Sequence, residues 1–79
     1  MGRYFLRWGD VAEDAYKKLP GTQQRAVDKR MAQLAENPKD GSSYDPTTDR
    51  WTTTADSGSI MIVFALHDNT LRITILRLV

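Results

Sequence analysis

The chain has 79 residues, 41% of them apolar and 27% charged, with a net charge of +1, no cysteine and one histidine. That length allows one domain, 1–79, and a chain so short buries only about 60% of the surface its unfolded form exposes. Disulfides, thiolate metal sites and histidine-built metal clusters are excluded, no cofactor is expected, and the near-zero net charge gives no whole-molecule attraction to nucleic acid, so any such binding has to come from local patches.

Tyr4, Leu6 and Trp8 alternate with Arg3, Phe5 and Arg7, the period of a strand with one apolar face. The opening residues are too few and too interrupted by arginine for a secretion signal, so a cytoplasmic protein is expected. Gly9 ends the strand. Asp10 with Glu13 three residues later has capping-box spacing, and Val11, Ala12, Ala15, Tyr16 and Leu19 predict an amphipathic helix. Pro20-Gly21 stops it and Thr22 is a plausible cap for a second helix, whose stripe is Val27, Met31, Leu34 and Ala35. Arg25, Lys29 and Arg30 cluster elsewhere on that helix, and Asn37-Pro38 ends it. So short a connection predicts an antiparallel helical hairpin.

Residues 39–49 read as a loop in which Tyr44 is the only large side chain. Arg50 to Ala55 is a threonine-rich strand, and Asp56-Ser57-Gly58-Ser59 is a turn. Ile60 to Leu66, apolar on both faces, is the central strand. At seven residues it is also the longest apolar run, far short of a membrane span. Asp68-Asn69 suits a tight hairpin, and Leu71, Ile73 and Ile75 alternate with Arg72 and Thr74 in the last strand.

The expected fold is α+β, in the order β-α-α-β-β-β, with the hairpin on one face of a four-stranded, mainly antiparallel sheet. The other face would carry Arg3, Phe5, Arg7, Met61, Val63, Arg72 and Thr74. Arginines mixed with apolar groups read as a binding surface, ahead of a solvated sheet face with scattered charges.

Several segments also resemble the RelE/ParE superfamily of bacterial toxins. They are Tyr4-Phe5-Leu6 at the start, Ala15-Tyr16-Lys17-Lys18-Leu19-Pro20 and Leu34-Ala35-Glu36-Asn37-Pro38 at the two helix ends, Ser57-Gly58 before the apolar strand, and Ile73-Thr74-Ile75-Leu76-Arg77-Leu78 at the close. Each motif is weak alone; the ordered set spans nearly the whole chain. The resemblance implies a toxin of a toxin–antitoxin system: RelE-like members cut mRNA in the ribosomal A site, ParE-like members poison gyrase, and an antitoxin wraps both.

RNA cleavage of this kind needs a base for the 2′-hydroxyl, an acid for the departing 5′ oxygen and positive charge at the phosphorane. The family commonly supplies these with Lys and Arg on its second strand, an Arg opening the third, and Arg, His or Tyr after the fourth. Here the second strand reads Arg50-Trp51-Thr52-Thr53-Thr54, and Ile60 or Met61 stands where the third strand would bring Arg. The sequence stops at Val79, ahead of the last group; a gene product continuing past Val79 is the alternative account of that gap. No catalytic residue is transferred.

The candidates for RNA or partner binding are Arg3, Arg7, Arg50, Trp51, Arg72 and Arg77; solvated charge is the favoured reading for each arginine, Arg50 and Arg72 are the foremost phosphate contacts, and core packing is the favoured role of Trp51 over a stacking platform. His67 reads as a solvated turn residue, ahead of a general base. The leading expectation is a toxin-like, RelE-type mRNA endonuclease with weakened chemistry, with antitoxin, ribosome and mRNA as partners. The alternative is a non-catalytic module of the same fold that binds antitoxin, ribosome or gyrase.

Overall fold

A computed structural model describes residues 3–79. The elements are β1 (Phe5–Trp8), α1 (Asp10–Lys17), α2 (Gly21–Glu36), β2 (Ser43–Asp45), β3 (Arg50–Ala55), β4 (Ile60–His67) and β5 (Arg72–Leu78). They form an α+β fold around one five-stranded sheet of order β1-β5-β4-β3-β2, antiparallel except where β1 runs parallel to β5. The extra strand is the correction to the expected four. Ser43–Asp45 pairs with Arg50–Thr52 as a short edge, too brief to show a period within a Gly, Ser, Asp and Pro-rich segment.

Both helices lie on one face. α1 seats on β5, and α2 seats on β3 and β1. Ala12, Val27, Met31 and Leu34 from the helices meet Ala55, Ile60, Ile62, Phe64, Ile73 and Ile75 from the sheet. The two helices are tied by polar contacts: the Tyr16 hydroxyl donates to Asp28 at 2.7 Å, and the Gln24 amide donates to the Tyr16 carbonyl at 2.9 Å.

The helix starts differ from expectation. Gly9 and Pro20 occupy the cap positions and neither helix has a side-chain cap; Asp10 lies in the first turn of α1 and Thr22 inside α2. Gly9 is constrained by its neighbour strand. Its N–H donates to the Ile75 carbonyl at 2.8 Å, and a Cβ there would stand 2.9 Å from that same oxygen. A larger residue would push α1 off β5. Val11, expected on the buried stripe, is 67% exposed; the buried stripe is centred on Ala12.

The β4–β5 connection is not a two-residue hairpin. A tight turn at Asp68–Thr70 is followed by Leu71 in the left-handed region at φ 50°. Leu71 therefore belongs to the turn, where its carbonyl accepts the Phe5 N–H at 2.8 Å.

Candidate functional site: the open face of the sheet

The face away from the helices is assembled by alternation. Tyr4, Leu6 and Trp8 pack on the core, so Phe5 and Arg7 point the other way. Ile73 and Ile75 are buried, which leaves Arg72 and Thr74 on the open side. In β4 the buried Ile62 and Phe64 alternate with Met61, Val63, Ala65 and His67. In β3 the inward Trp51, Thr53 and Ala55 leave Arg50, Thr52 and Thr54 outside.

Arg77 reaches this face through an irregularity. Strict alternation from Ile73 and Ile75 would turn Arg77 into the core. The register slips between Val63 and Phe64: Phe64 pairs with Ile75 while Val63 pairs with Arg77, leaving Leu76 as the extra residue of a bulge. The phase change sends Arg77 out and Leu78 in, where it packs on the core.

The sequence candidates therefore separate. Arg50 and Arg77 line one hollow of ≈ 560 Å³ with Thr52, Val63, Leu76, Asp45 and Thr48. Asp45 stands opposite Arg50 in the register, yet its carboxylate accepts the Thr47 N–H at 2.9 Å and makes no ion pair with Arg50. Arg72 lies at the other end of the face, level with His67, four residues along β4 from Val63 and so about 13 Å away. Arg7 lies between, level with Thr74. Among the described residues none of Arg7, Arg50, Arg72 and Arg77 has a carboxylate partner.

Two candidates are not on this face. Arg3 pairs with Glu36 at the end of α2 at 2.7 Å, an exposed pair that contributes about 0–1 kcal/mol. Trp51 is turned to the helix side, stacked 6.4 Å from Phe64, with the Tyr44 ring 5.0 Å away and the Lys39 ammonium 5.9 Å from its centre. Its ring belongs to the packing on that side. Arg30, placed with the surface cations of α2 from sequence, also turns inward. It donates to Thr53 Oγ1 at 2.7 and 3.1 Å and to the Asp40 carbonyl at 2.9 Å.

Between the arginines the face is apolar or hydroxylated. Met61 is 43% exposed and stands level with Thr54 in β3. Neither threonine nor methionine exchanges protons near neutral pH, so this centre offers shape and charge without an acid–base pair. Among the described residues no group of three histidine or acidic side chains could hold a metal ion, and no helix is long and apolar enough to cross a membrane.

What sequence reasoning missed is a row. The registers place Phe5, Arg72 and His67 side by side on β1, β5 and β4. Alternation puts Phe5 on the open face, but only the β1-β5-β4 order makes these three neighbours.

No protein-family model matches the sequence, and no curated protein matches it significantly. Solved structures do. One is the RelBE2 toxin–antitoxin complex of Mycobacterium tuberculosis, with a TM-score of 0.82 at 20% identity over 96% of this chain and 95% of that one. The intact E. coli RelBE complex gives 0.82 at 18%, over 95% and 93%. The archaeal RelE–RelB complex of Pyrococcus horikoshii gives 0.73 at 18%, over 96% and 92%. With both helices, the sheet and nearly the whole of each chain in register, this protein has the fold of the RelE toxins.

Proposed function

We propose that this chain is the toxin-like member of a toxin–antitoxin pair, acting in the cytoplasm, and that its open sheet face holds RNA. The observation that carries the reading is the set Arg7, Arg50, Arg72 and Arg77 on one face, without carboxylate partners among the described residues, around an apolar centre. Guanidinium groups on a solvent-facing sheet suit phosphate oxygens, and their free valences favour a polyanion over a neutral surface. The likeness to toxins solved with their antitoxins supports an antitoxin as the protein partner. The ribosome with its mRNA, as the setting for RNA, rests on the resemblance of the sequence segments alone.

Cleavage of mRNA is the finer form of this reading. Arg50 and Arg77 would offset charge on the phosphorane, and the face would hold the 2′-oxygen in line with the phosphorus. Thr52, Thr54 and Met61 supply no proton transfer, so turnover is expected to be slow. Mapping mRNA 5′ ends on ribosomes after induction tests it: new ends that vanish in an Arg50→Gln/Arg77→Gln variant support cleavage, and intact mRNA with normal growth overturns it.

The same threonines and methionine favour a second reading, a non-catalytic module that binds without cutting. Salt dependence separates the ligand classes. If phosphates are held, each arginine removed should lower the slope of log affinity against log salt by about 0.7 for a single strand. A protein ligand on the apolar centre would show no such per-residue step.

A further inference from the structure

Phe5 is 75% exposed, the most exposed of the large apolar side chains among the described residues. It stands on the first residue of β1, level with Arg72 on β5, which is in turn level with His67 on β4. Neighbouring strands lie about 4.8 Å apart, so these three side chains form one contiguous row across the open face. Arg7, two residues along β1, is about 7 Å from Phe5 on the same side.

Charge at this end is uncompensated. The nearest carboxylate in sequence is Asp68, and both its oxygens are taken: Tyr4 donates its hydroxyl to Oδ1 at 2.7 Å, and the Lys39 ammonium lies 3.6 Å from Oδ2. Among the described residues Arg72 and Arg7 have no ion-pair partner. Among the described residues the face carries no other aromatic ring, because Trp51 and Tyr44 pack against each other in a tilted pair on the helix side. A lone exposed aromatic between two free guanidinium groups combines what a single-stranded nucleic acid offers, a flat base and a flanking phosphate.

We propose that Phe5, Arg72 and His67 form a nucleotide subsite at the β1 end of the open face, where Phe5 stacks on an unpaired RNA base and Arg72 holds the adjoining phosphate. His67 closes the row as a hydrogen-bonding wall beside Arg72. The inference rests on the reading of the open face as an RNA-holding surface and adds where a base is gripped. It also divides labour along the sheet. Arg50 and Arg77 hold backbone at one end, and the Phe5 row holds base and backbone at the other. Stacking on Phe5 alone reads no hydrogen-bonding edge, so the subsite tolerates any base.

Fluorescence anisotropy with a labelled single-stranded oligoadenylate of about twelve nucleotides tests it, with an abasic strand of the same length as the probe without bases. Phe5→Ala should weaken the oligoadenylate about five- to a hundred-fold, the range of one lost base stack, and leave the abasic strand unchanged. Arg72→Gln should weaken both strands and lower the salt slope by about 0.7. Val11→Ser, an exposed apolar position on α1, should change neither. Oligoadenylate binding by Phe5→Ala equal to wild type, or equal weakening of both strands, overturns the subsite while the broader reading stands. Wild-type protein that binds neither strand overturns the broader reading and the subsite together. Thermal melts of each variant confirm that the fold is intact, as the exposure of Phe5 leads one to expect.

Discussion

Val63 and Phe64 are adjacent in β4 and meet opposite environments. Phe64 is fully buried between the sheet and the helices; Val63 faces the hollow shared with Arg50 and Arg77. The same contrast runs along β1, β3 and β5, while the short edge strand β2 is exposed throughout. The helix-covered face carries nearly all of the apolar burial, and Thr53, its buried polar side chain, is hydrogen-bonded. The open face carries four arginines without carboxylate partners and an uncovered apolar centre, among the described residues. One side of the sheet is spent on holding the chain together, and the other is free to vary in chemistry without loss of the fold.

The largest test of that division uses two residues of one strand. Phe64→Ala should cost about 3–5 kcal/mol, from lost burial and the cavity left behind. Domains of this size have about 5–15 kcal/mol in total, so the variant should be close to unfolding in a urea melt. Met61→Ala, on the opposite face, should stay within about 0.5 kcal/mol of wild type. Comparable losses for the two would break the comparison, because the open face would then be part of the core.

A smaller effect sharpens it at the one buried polar side chain of β3. Thr53 Oγ1 accepts from Arg30 and donates to the Gly41 carbonyl at 3.1 Å, which ties α2, β3 and the segment before β2 together. Thr53→Val keeps the volume and removes every one of these bonds. The cost should be about 1–3 kcal/mol, and in a domain this small a melting temperature should fall about 4–8 °C for each kcal/mol. Thr52→Val, next to it on the open face, should leave the melt almost unchanged. The two threonines look alike in sequence and differ only in the face they present.

This is also where the sequence is legible and where it is not. Strict alternation in Tyr4–Trp8 and the apolar run of Ile60–Leu66 identify strands, because period two and burial on both faces are local properties. The helices are legible from their stripes and from Pro20-Gly21 and Asn37-Pro38. Four features are not local. The bulge at Leu76 reverses the phase of β5, so the side taken by Arg77 depends on the pairing with β4. β2 exists because Tyr44 finds the Trp51 ring and β3 offers a free edge, neither of which shows in a three-residue segment. Arg30 reads as a surface cation by helical periodicity, and turns inward because the Thr53 hydroxyl and the Asp40 carbonyl wait for it. The Phe5 row needs the order β1-β5-β4, which joins the first and last strands of the sequence at one edge of the sheet.

The smallest expected effect lies where the two faces meet, at the Asp68 turn. Tyr4, just before β1, packs on the helix-covered side, and its hydroxyl donates to Asp68 at 2.7 Å beside the Lys39 ammonium. The Tyr4 hydrogen bond holds the Asp68 carboxyl below its ordinary value, with Lys39 adding in the same direction and partial desolvation opposing it. A carboxyl lowered on folding stabilises the native state at pH values above its unfolded value of about 3.9, and that contribution is lost as pH falls through the lower folded value. The same bond raises the Tyr4 phenol, whose contribution is present below its unfolded value near 10 and lost as pH rises through the higher folded one. Asp68→Asn should therefore melt slightly below wild type at neutral pH, with the gap closing in acid as wild type loses its own increment. Tyr4→Phe should narrow the acid dependence in the same way, since it removes the principal cause of the shift. Melts at neutral pH and near pH 3 measure both, and a gap that is constant across that range would show that the turn is held by its backbone alone.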